Sequence, residues 1–412
     1  MSGVTGAGGL PGGPGAGPVA PTGLAGPGLA GPGLAGAEAR LGFAAIPEVP
    51  GVLSAADVLA TAGSICEVQQ PDGMIPWFPG GHCDPWNHVE SAMALTVCGF
   101  LAEARRAYEW LARSQLADGS WFNYYWPTAV KDQRLDTNVC AYVAAGLWHY
   151  TLVTGDPTLA VELWPMVEGA IEFVLRWQRP DGAVRWSVDA AGVPEAYALL
   201  TGSSSVYHSL RCALALAETL GEERPGWELA AGRLGHAVAH HQGSFAPKDE
   251  FAMDWYYPVL CGALQGAPGR DRLVRHWSTF VLPGAGVRCV SSGDWVTAAE
   301  TAECVLALEA LGMHATALEL FAAGQELRLA DGSYWTGLVF PSRATFPAGE
   351  RTTYTAAAMV LAADALADAS PAAGLFRGEG LPAVVDLSSS ACEPGGRCPA
   401  PALDFSGAAP PA

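Results

Sequence analysis

Basic residues are scarce in this chain: 22 Lys and Arg face 41 Asp and Glu among 412 residues, a net charge of −19. A field of that sign repels nucleic acid and anionic membrane surfaces, which excludes both as partners. Outside the Gly/Pro-rich ends no window holds 18 uninterrupted apolar residues, so no membrane span is expected. No Lys or Arg precedes Arg40, so the positive region of a secretory leader is missing, and frequent Pro and Gly break any apolar helix there. The ten cysteines show no regular pairing and no Cys-x-x-Cys. They are expected to be reduced thiols, and the location cytoplasmic. A phosphate-binding Gly-rich loop is absent, and Gly202-Ser-Ser-Ser205 does not fit a Gly-x-Ser-x-Gly elbow. Alternating strand patterns of any length are missing too.

What is present is apolar: half the residues are hydrophobic and 15% are charged, which suits a large buried core. Residues 1–45 are low-complexity Gly, Pro and Ala, as in Gly23-Leu-Ala-Gly-Pro, and 377–412 are similar. Both are expected to be disordered tails, with Cys392 and Cys398 in the second, which leaves residues 46–376 as the folded domain.

A repeat organises that domain. Gln69-Gln-Pro-Asp-Gly73 precedes Trp77, Gln115-Leu-Ala-Asp-Gly-Ser-Trp121 follows Tyr108, Gln178-Arg-Pro-Asp-Gly182 precedes Trp186, and Asp331-Gly-Ser-Tyr-Trp335 follows Gln325; Gln242-Gly-Ser-Phe245 is a weaker copy. Asp-Gly ends a helix because Gly accepts the left-handed conformation at little cost, and the aromatic that follows can pack back on the helix. The segments before these turns are amphipathic, as in Ala104-Arg-Arg-Ala-Tyr-Glu-Trp-Leu. Between the turns lie segments apolar on most faces, starting near Asp84, Asp136, Ser203, Asp254, Asp294 and Thr352, about 54 residues apart on average. A helix apolar all round is buried. Six amphipathic outer helices alternating with six buried inner ones predict an all-α (α/α)6 barrel, a toroid of six hairpins.

The turn before each inner helix opens onto one mouth of such a ring, and polar residues collect there. Asp84-Pro-Trp-Asn-His88 and Glu90 begin the first inner helix, Asp136 the second and Tyr207 belongs to the third. Asp254-Trp255-Tyr256 and Asp294-Trp295, with Glu300, begin the fourth and fifth. An acid at a helix start is an ordinary N-cap, worth about 1 kcal/mol. Capping gives no reason for the tryptophans that accompany it, though core packing could. Glu90 and Glu300 lie inside apolar helices, where a carboxylate needs a partner or a wet cavity. Lys131, Arg134, Lys248, Arg288 and Arg351 also precede inner helices, either to pair with the acids or to hold an anionic group. His236-x-x-x-His240 has metal-ligand spacing without the accompanying Glu, and Cys83, Asp84 and His88 lack a further matched ligand. No metal and no cofactor are expected.

Two families resemble this pattern. Trp110-Leu with Gln115 and Asp118-Gly-Ser-Trp121 is similar to the Gln-Trp repeat of squalene-type cyclases and prenyltransferase β-subunits. Val290-Ser-Ser-Gly-Asp-Trp-Val-Thr-Ala-Ala-Glu300 resembles an Asp-containing cyclase segment, which implies Asp294 as a protonating acid. The Asp-x-Asp-Asp motif and the prenyltransferase zinc set are absent. The helix pattern of residues 53–376, with Asp84-Pro-Trp and Asp254-Trp-Tyr at inner-helix starts, resembles the six-hairpin glycosidases. That resemblance implies a glycoside hydrolase acting on an oligosaccharide or glycan through two carboxyl groups.

The expected catalytic acids are Asp254 and Asp294, then Asp84 and Glu300. Trp86, His88, Glu90, Asp136, Tyr207, Trp255, Tyr256, Trp295 and Arg288 are the expected substrate contacts. An isoprenoid-handling enzyme, or a non-catalytic sugar- or peptide-binding toroid, is the alternative.

Overall fold

The computed structural model describes residues 45–385 and 387; of the two expected tails, residues 1–44, 386 and 388–412 lie outside them. Among the described residues twelve principal helices alternate between an outer and an inner layer. The outer helices are α1 (Ala55–Cys66), α3 (Leu101–Ser114), α6 (Thr158–Leu175), α8 (Pro225–His240), α10 (Gly266–Phe280) and α12 (His314–Gly324). The inner ones are α2 (Pro85–Val97), α4 (Thr137–Ala141) running on into α5 (Val143–Thr154), α7 (Leu200–Leu220), α9 (Ala252–Leu260), α11 (Ala298–Ala310) and α13 (Thr353–Ala367). Every residue of α2 and the first thirteen of α13 are buried, which is why those segments read as apolar on all faces. Each inner rod packs on the next, and α13 packs on α2, so the ring is closed. The fold is the all-α toroid.

The Asp-Gly turns do more than end helices. Gln115 Nε2 donates to Gly119 O at 2.9 Å and to Met166 O, on the next outer helix, at 2.8 Å. Gln69 repeats this with Gly73 and Glu103, and Gln178 with Gly182 and Ala230. The turn glycines have φ of +100°, +91° and +89°, and a Cβ there would stand 2.1–2.4 Å from a backbone oxygen of the following outer helix. Only glycine allows that approach. Gly332, after α12, nests in the same way on Ala60 of α1, so the last joint closes the circle. Trp121 Nε1 donates to Leu111 O at 3.0 Å, packing back on the helix just finished.

Three helix starts differ from the sequence reading. The third, fourth and fifth inner helices begin at Leu200, Ala252 and Ala298, not at Ser203, Asp254 and Asp294. Asp254 lies inside the first turn of α9, and Asp294 lies ahead of α11 in a loop between strands. Those strands are β1 (Tyr124–Trp126), β2 (Ala129–Asp132), β3 (Leu135–Asp136), β4 (Ser187–Val188), β5 (Val281–Leu282), β6 (Gly286–Arg288), β7 (Trp295–Thr297), β8 (Gly337–Val339) and β9 (Ala344–Thr345). β1 pairs with β2, β3 with β4, and β5 to β9 form one antiparallel sheet in sequence order. Strands of two to four residues are too short to show an alternation. All nine lie in the connections that lead toward inner-helix starts, and so they rim one mouth of the ring.

Candidate active site

The mouth is built twice on one plan. Asp84 caps α2: Oδ1 accepts Asn87 N–H at 3.0 Å, while Oδ2 accepts Asn87 Nδ2 and Trp77 Nε1, each at 2.6 Å. Asp136 caps α4 through Asn138 and Val139 N–H, and its Oδ2 accepts Trp186 Nε1 at 2.6 Å. Both carboxylates are buried. Burial pushes the Asp84 carboxyl up, against the pull of its N–H donors. Behind each cap an asparagine presents a buried side-chain oxygen, Asn87 Oδ1 and Asn138 Oδ1, with no hydrogen-bond partner among the described residues. Neither asparagine was among the expected site residues. The only signal was its place in the first turn after a capping acid.

Glu300 enters from the other side of α13. It sits buried in the first turn of α11 and accepts a hydrogen bond from Thr297 Oγ1, at the N-cap. Between it and Asp84 stands Tyr354 of α13, whose ring lies 4.9 Å from Trp77 and edge-on to it. Burial, with the Glu300 charge beside it, holds the Tyr354 phenol well above its ordinary range.

A second polar level lies deeper. The sixth residue after each N-cap is Glu90 on α2, Tyr142 between α4 and α5, Ser205 on α7, Tyr257 on α9, Glu303 on α11 and Ala358 on α13. Six residues of helix put this level about 9 Å below the caps. It is cross-linked: Tyr257 Oη donates to Glu303 Oε1 at 2.7 Å, and Tyr256 Oη donates to the other oxygen. Glu90 bonds to Tyr142, and Tyr142 stacks on Trp86 with ring centroids 4.8 Å apart. Burial and the neighbouring carboxylate push Glu90 well up, and burial takes Glu303 up to about 7. Glu303, Tyr142, Tyr257 and Ser205 were not among the expected site residues: Glu303 and Tyr142 sit in apolar runs, and Tyr257 and Ser205 share theirs with like neighbours. Counting from the caps finds them.

Several expected site residues are placed elsewhere. His88 is 0% exposed; its Nδ1 accepts Ile75 N–H at 3.0 Å and its Nε2 faces Ala107 O at 2.9 Å, so both nitrogens serve the scaffold. Burial lowers it to about 4 and keeps it neutral. Tyr207 packs on Gly235 of α8, toward the outer layer, because α7 begins a turn earlier than its serines suggest. Trp255 stacks on Phe280 at 5.2 Å and donates to Arg272 O, both on the outer helix α10. Asp254 accepts Thr201 N–H at 3.2 Å and Thr201 Oγ1. It thereby caps α7, whose own N-cap is Leu199 and has no side-chain bond to give. Burial, its largest influence, takes Asp254 up to about 6. Asp294 has a side chain 61% exposed and pairs with Arg288 at 3.4 Å. Trp295 remains on the rim, over Gly337.

The basic residues are mostly engaged: Arg134 pairs with Asp132 at 2.6 Å and Arg351 with Asp331 at 2.8 Å, and Lys131 and Lys248 lie over aromatic rings. Among the described residues no three His, Cys, Asp or Glu are grouped to hold a metal ion, and their eight cysteines are free thiols. No helix among them is long and apolar enough to cross a membrane.

The chain is 53% identical over 338 residues to the MMP endo-(1,4)-3-O-methyl-alpha-D-mannosidase of Mycolicibacterium hassiacum, a match covering 82% of this chain and 94% of that one. The chain belongs to this mannosidase family. It is a glycoside hydrolase acting on glycans. No protein-family profile matches it. Solved structures share its fold: a glycosidase in complex with glucose has a TM-score of 0.61 at 15% identity, over 76% of this chain and 98% of that one. A rhamnosidase from Klebsiella oxytoca with rhamnose bound has a TM-score of 0.57 at 14% identity, covering 80% and 66%. A D-mannose isomerase also reaches 0.57, at 11% identity, over 75% and 96%. The toroid resembles six-hairpin glycosidases in architecture as well as in helix pattern, and its Gln and Gly turns are joints of the scaffold.

Proposed function

We propose that this glycosidase cleaves within chains of α-(1,4)-linked 3-O-methyl-D-mannose, with Asp84 and Glu300 as its two working carboxyl groups. The observation that carries the pair is their setting. Both are buried at the mouth, in or beside the first turn of inner helices that flank α13, and Tyr354 lies between them. Glycoside hydrolysis needs two carboxyl groups across one bond, one to give a proton and one to act as base or nucleophile. Asp84 is the acid: burial favours its protonated form, and the leaving oxygen takes that proton. Glu300 is the partner that activates water or attacks the anomeric carbon. Asn87 Oδ1 and Asn138 Oδ1 are acceptors for sugar hydroxyls beside the scissile bond. The substrate assignment rests on the relative's activity, and the acids on the geometry of this chain.

Asp84→Asn keeps an oxygen to cap Asn87 N–H, but sets an amide nitrogen where Oδ2 accepts Trp77 Nε1 and Asn87 Nδ2. It is expected to lower kcat on α-(1,4)-linked 3-O-methylmannan oligosaccharides by about 10³-fold, as is Glu300→Gln. Reducing-end release and a melting curve measure both. A variant that melts normally and keeps more than a tenth of wild-type kcat removes that residue from the pair.

A further inference from the structure

Among the described residues the large hydrophobic side chains left exposed are few, and three of them belong to separate hairpins around the mouth, Trp126 beside the β1–β2 turn, Val193 in the turn after β4 and Phe346 at the open end of the β8–β9 hairpin, where its N–H bonds Gly337 O. Trp126 is 36% exposed on β1, Phe346 is 50% exposed just after β9, and Val193 is 59% exposed on the hairpin after β4. A hairpin that rims an enzyme's mouth gains nothing in stability from an apolar side chain in water. Two of these side chains connect inward through rings. Trp126 lies 5.9 Å from His82, His82 lies 4.3 Å from Trp77, and Trp77 Nε1 holds Asp84 at 2.6 Å. Burial, with Lys131 nearby, lowers His82 to about 4, so this link is a neutral ring. Lys131 stands 5.0 Å over Trp126 and the β1 backbone bridges Cys83, which fixes the ladder to the residue before Asp84. On the other flank of α13 Phe346 lies 4.8 Å from Trp295, whose Nε1 donates to Phe346 O at 2.9 Å. Trp295 begins β7, which runs directly into the helix that carries Glu300.

We infer that these two ladders are outer glycan subsites on opposite sides of the cleavage point, and that their exposed rings, Trp126 and Phe346, read the O-methyl groups of a methylated mannan chain. The inference rests on the substrate reading above. An enzyme that cuts within a chain must hold sugars on both sides of the broken bond, and one ladder leads to each of the proposed carboxyl groups. An ordinary mannose ring offers an aromatic platform one weakly apolar face. A 3-O-methyl group adds a methyl whose burial is favourable, and a run of such sugars adds one at each subsite. A neutral, partly apolar chain also suits a protein of net charge −19, which would repel a uronate polymer.

The test uses the full chain with α-(1,4)-mannooligosaccharides of graded length, with and without 3-O-methylation. Wild type is expected to prefer the methylated series. Trp126→Ala and Phe346→Ala, both at exposed positions, are each expected to lower kcat/KM about tenfold on long methylated oligomers. The loss should lie in KM, grow with chain length, and shrink the preference for methylated over plain substrate. Losses equal across lengths and across both series would overturn the inference, because they would report a disturbed hairpin. So would variants with wild-type KM and preference. If wild type cleaves neither series, the substrate reading fails first, and the subsites for that substrate fail with it.

Discussion

Glu303 and Glu90 face one another across the polar level of the barrel, where burial favours the neutral carboxyl in each. Glu303 is also faced by Glu300 on its own helix and by Tyr256 and Tyr257 from α9. Its carboxyl rises from an ordinary 4.5 to about 7 on folding. A raised folded value contributes stability that is complete below about pH 4.5 and is lost as the pH climbs through about 7. Glu303→Gln removes that loss. The melting temperature of the variant relative to wild type is therefore expected to rise between pH 4.5 and 8; a difference that stays constant would show that charge at Glu303 has no part in it. At this scale the sequence was a partial guide. Asp84 was visible as an acid accompanied by a tryptophan at an inner-helix start, and Glu300 because acids are rare in apolar helices. Asp254 and Asp294 ranked ahead of them, since neighbours along a chain do not reveal that one carboxylate caps a different helix and another projects into water.

Among elements, the outer helices and their turns were the most legible part of the sequence, because Gln, Asp and Gly recur at fixed offsets and each has a mechanical task. The short strands of the rim were not, since pairs of two to four residues leave no periodic trace. The helix starts near Asp254 and Asp294 were displaced for the same reason: an acid before an apolar run looks like a cap whether or not it is one. The turn repeat also grades itself. At Gly119 φ is +91° and a Cβ would lie 2.1 Å from Gly169 O, whereas at Gly243, in the weaker copy, nothing stands within 4 Å. Gly119→Ala is expected to destabilise the protein by about 1–3 kcal/mol or more, and Gly243→Ala by little. Denaturant midpoints of the two variants check this, and equal shifts would mean that the docked turn is not a joint.

Over the whole molecule the question is whether the six hairpins form a circle or a row. Gly332 rests on Ala60, and Arg328 binds Asp57, with Nη1 3.1 Å from Oδ1 and Nη2 3.0 Å from the backbone oxygen. The sixth outer turn is thus fastened to the first outer helix by the same glycine contact that fastens the first, second and third turns to the outer helices after them. In a row the last turn would have nothing to dock on and would tolerate change. In a closed ring Gly332→Ala is expected to cost as much as Gly119→Ala and to lower the single cooperative unfolding transition as a whole. An early partial transition confined to one hairpin would favour the row. Closure could be expected from the sequence by counting six pairs, but the residues that achieve it could not, because Asp57 and Arg328 lie 271 positions apart.

The joint between neighbouring hairpins has one further consequence, for how such a protein can change over generations. On the giving side it demands particular side chains: a glutamine to reach across and a glycine to make room. On the receiving side it touches backbone oxygens, those of Glu103, Met166 and Ala230 for the glutamines. Every amino acid supplies that oxygen. The receiving helices are accordingly free to drift in sequence while the giving turns are held. Descendants of this chain should keep a rigid punctuation around helices whose wording has been rewritten.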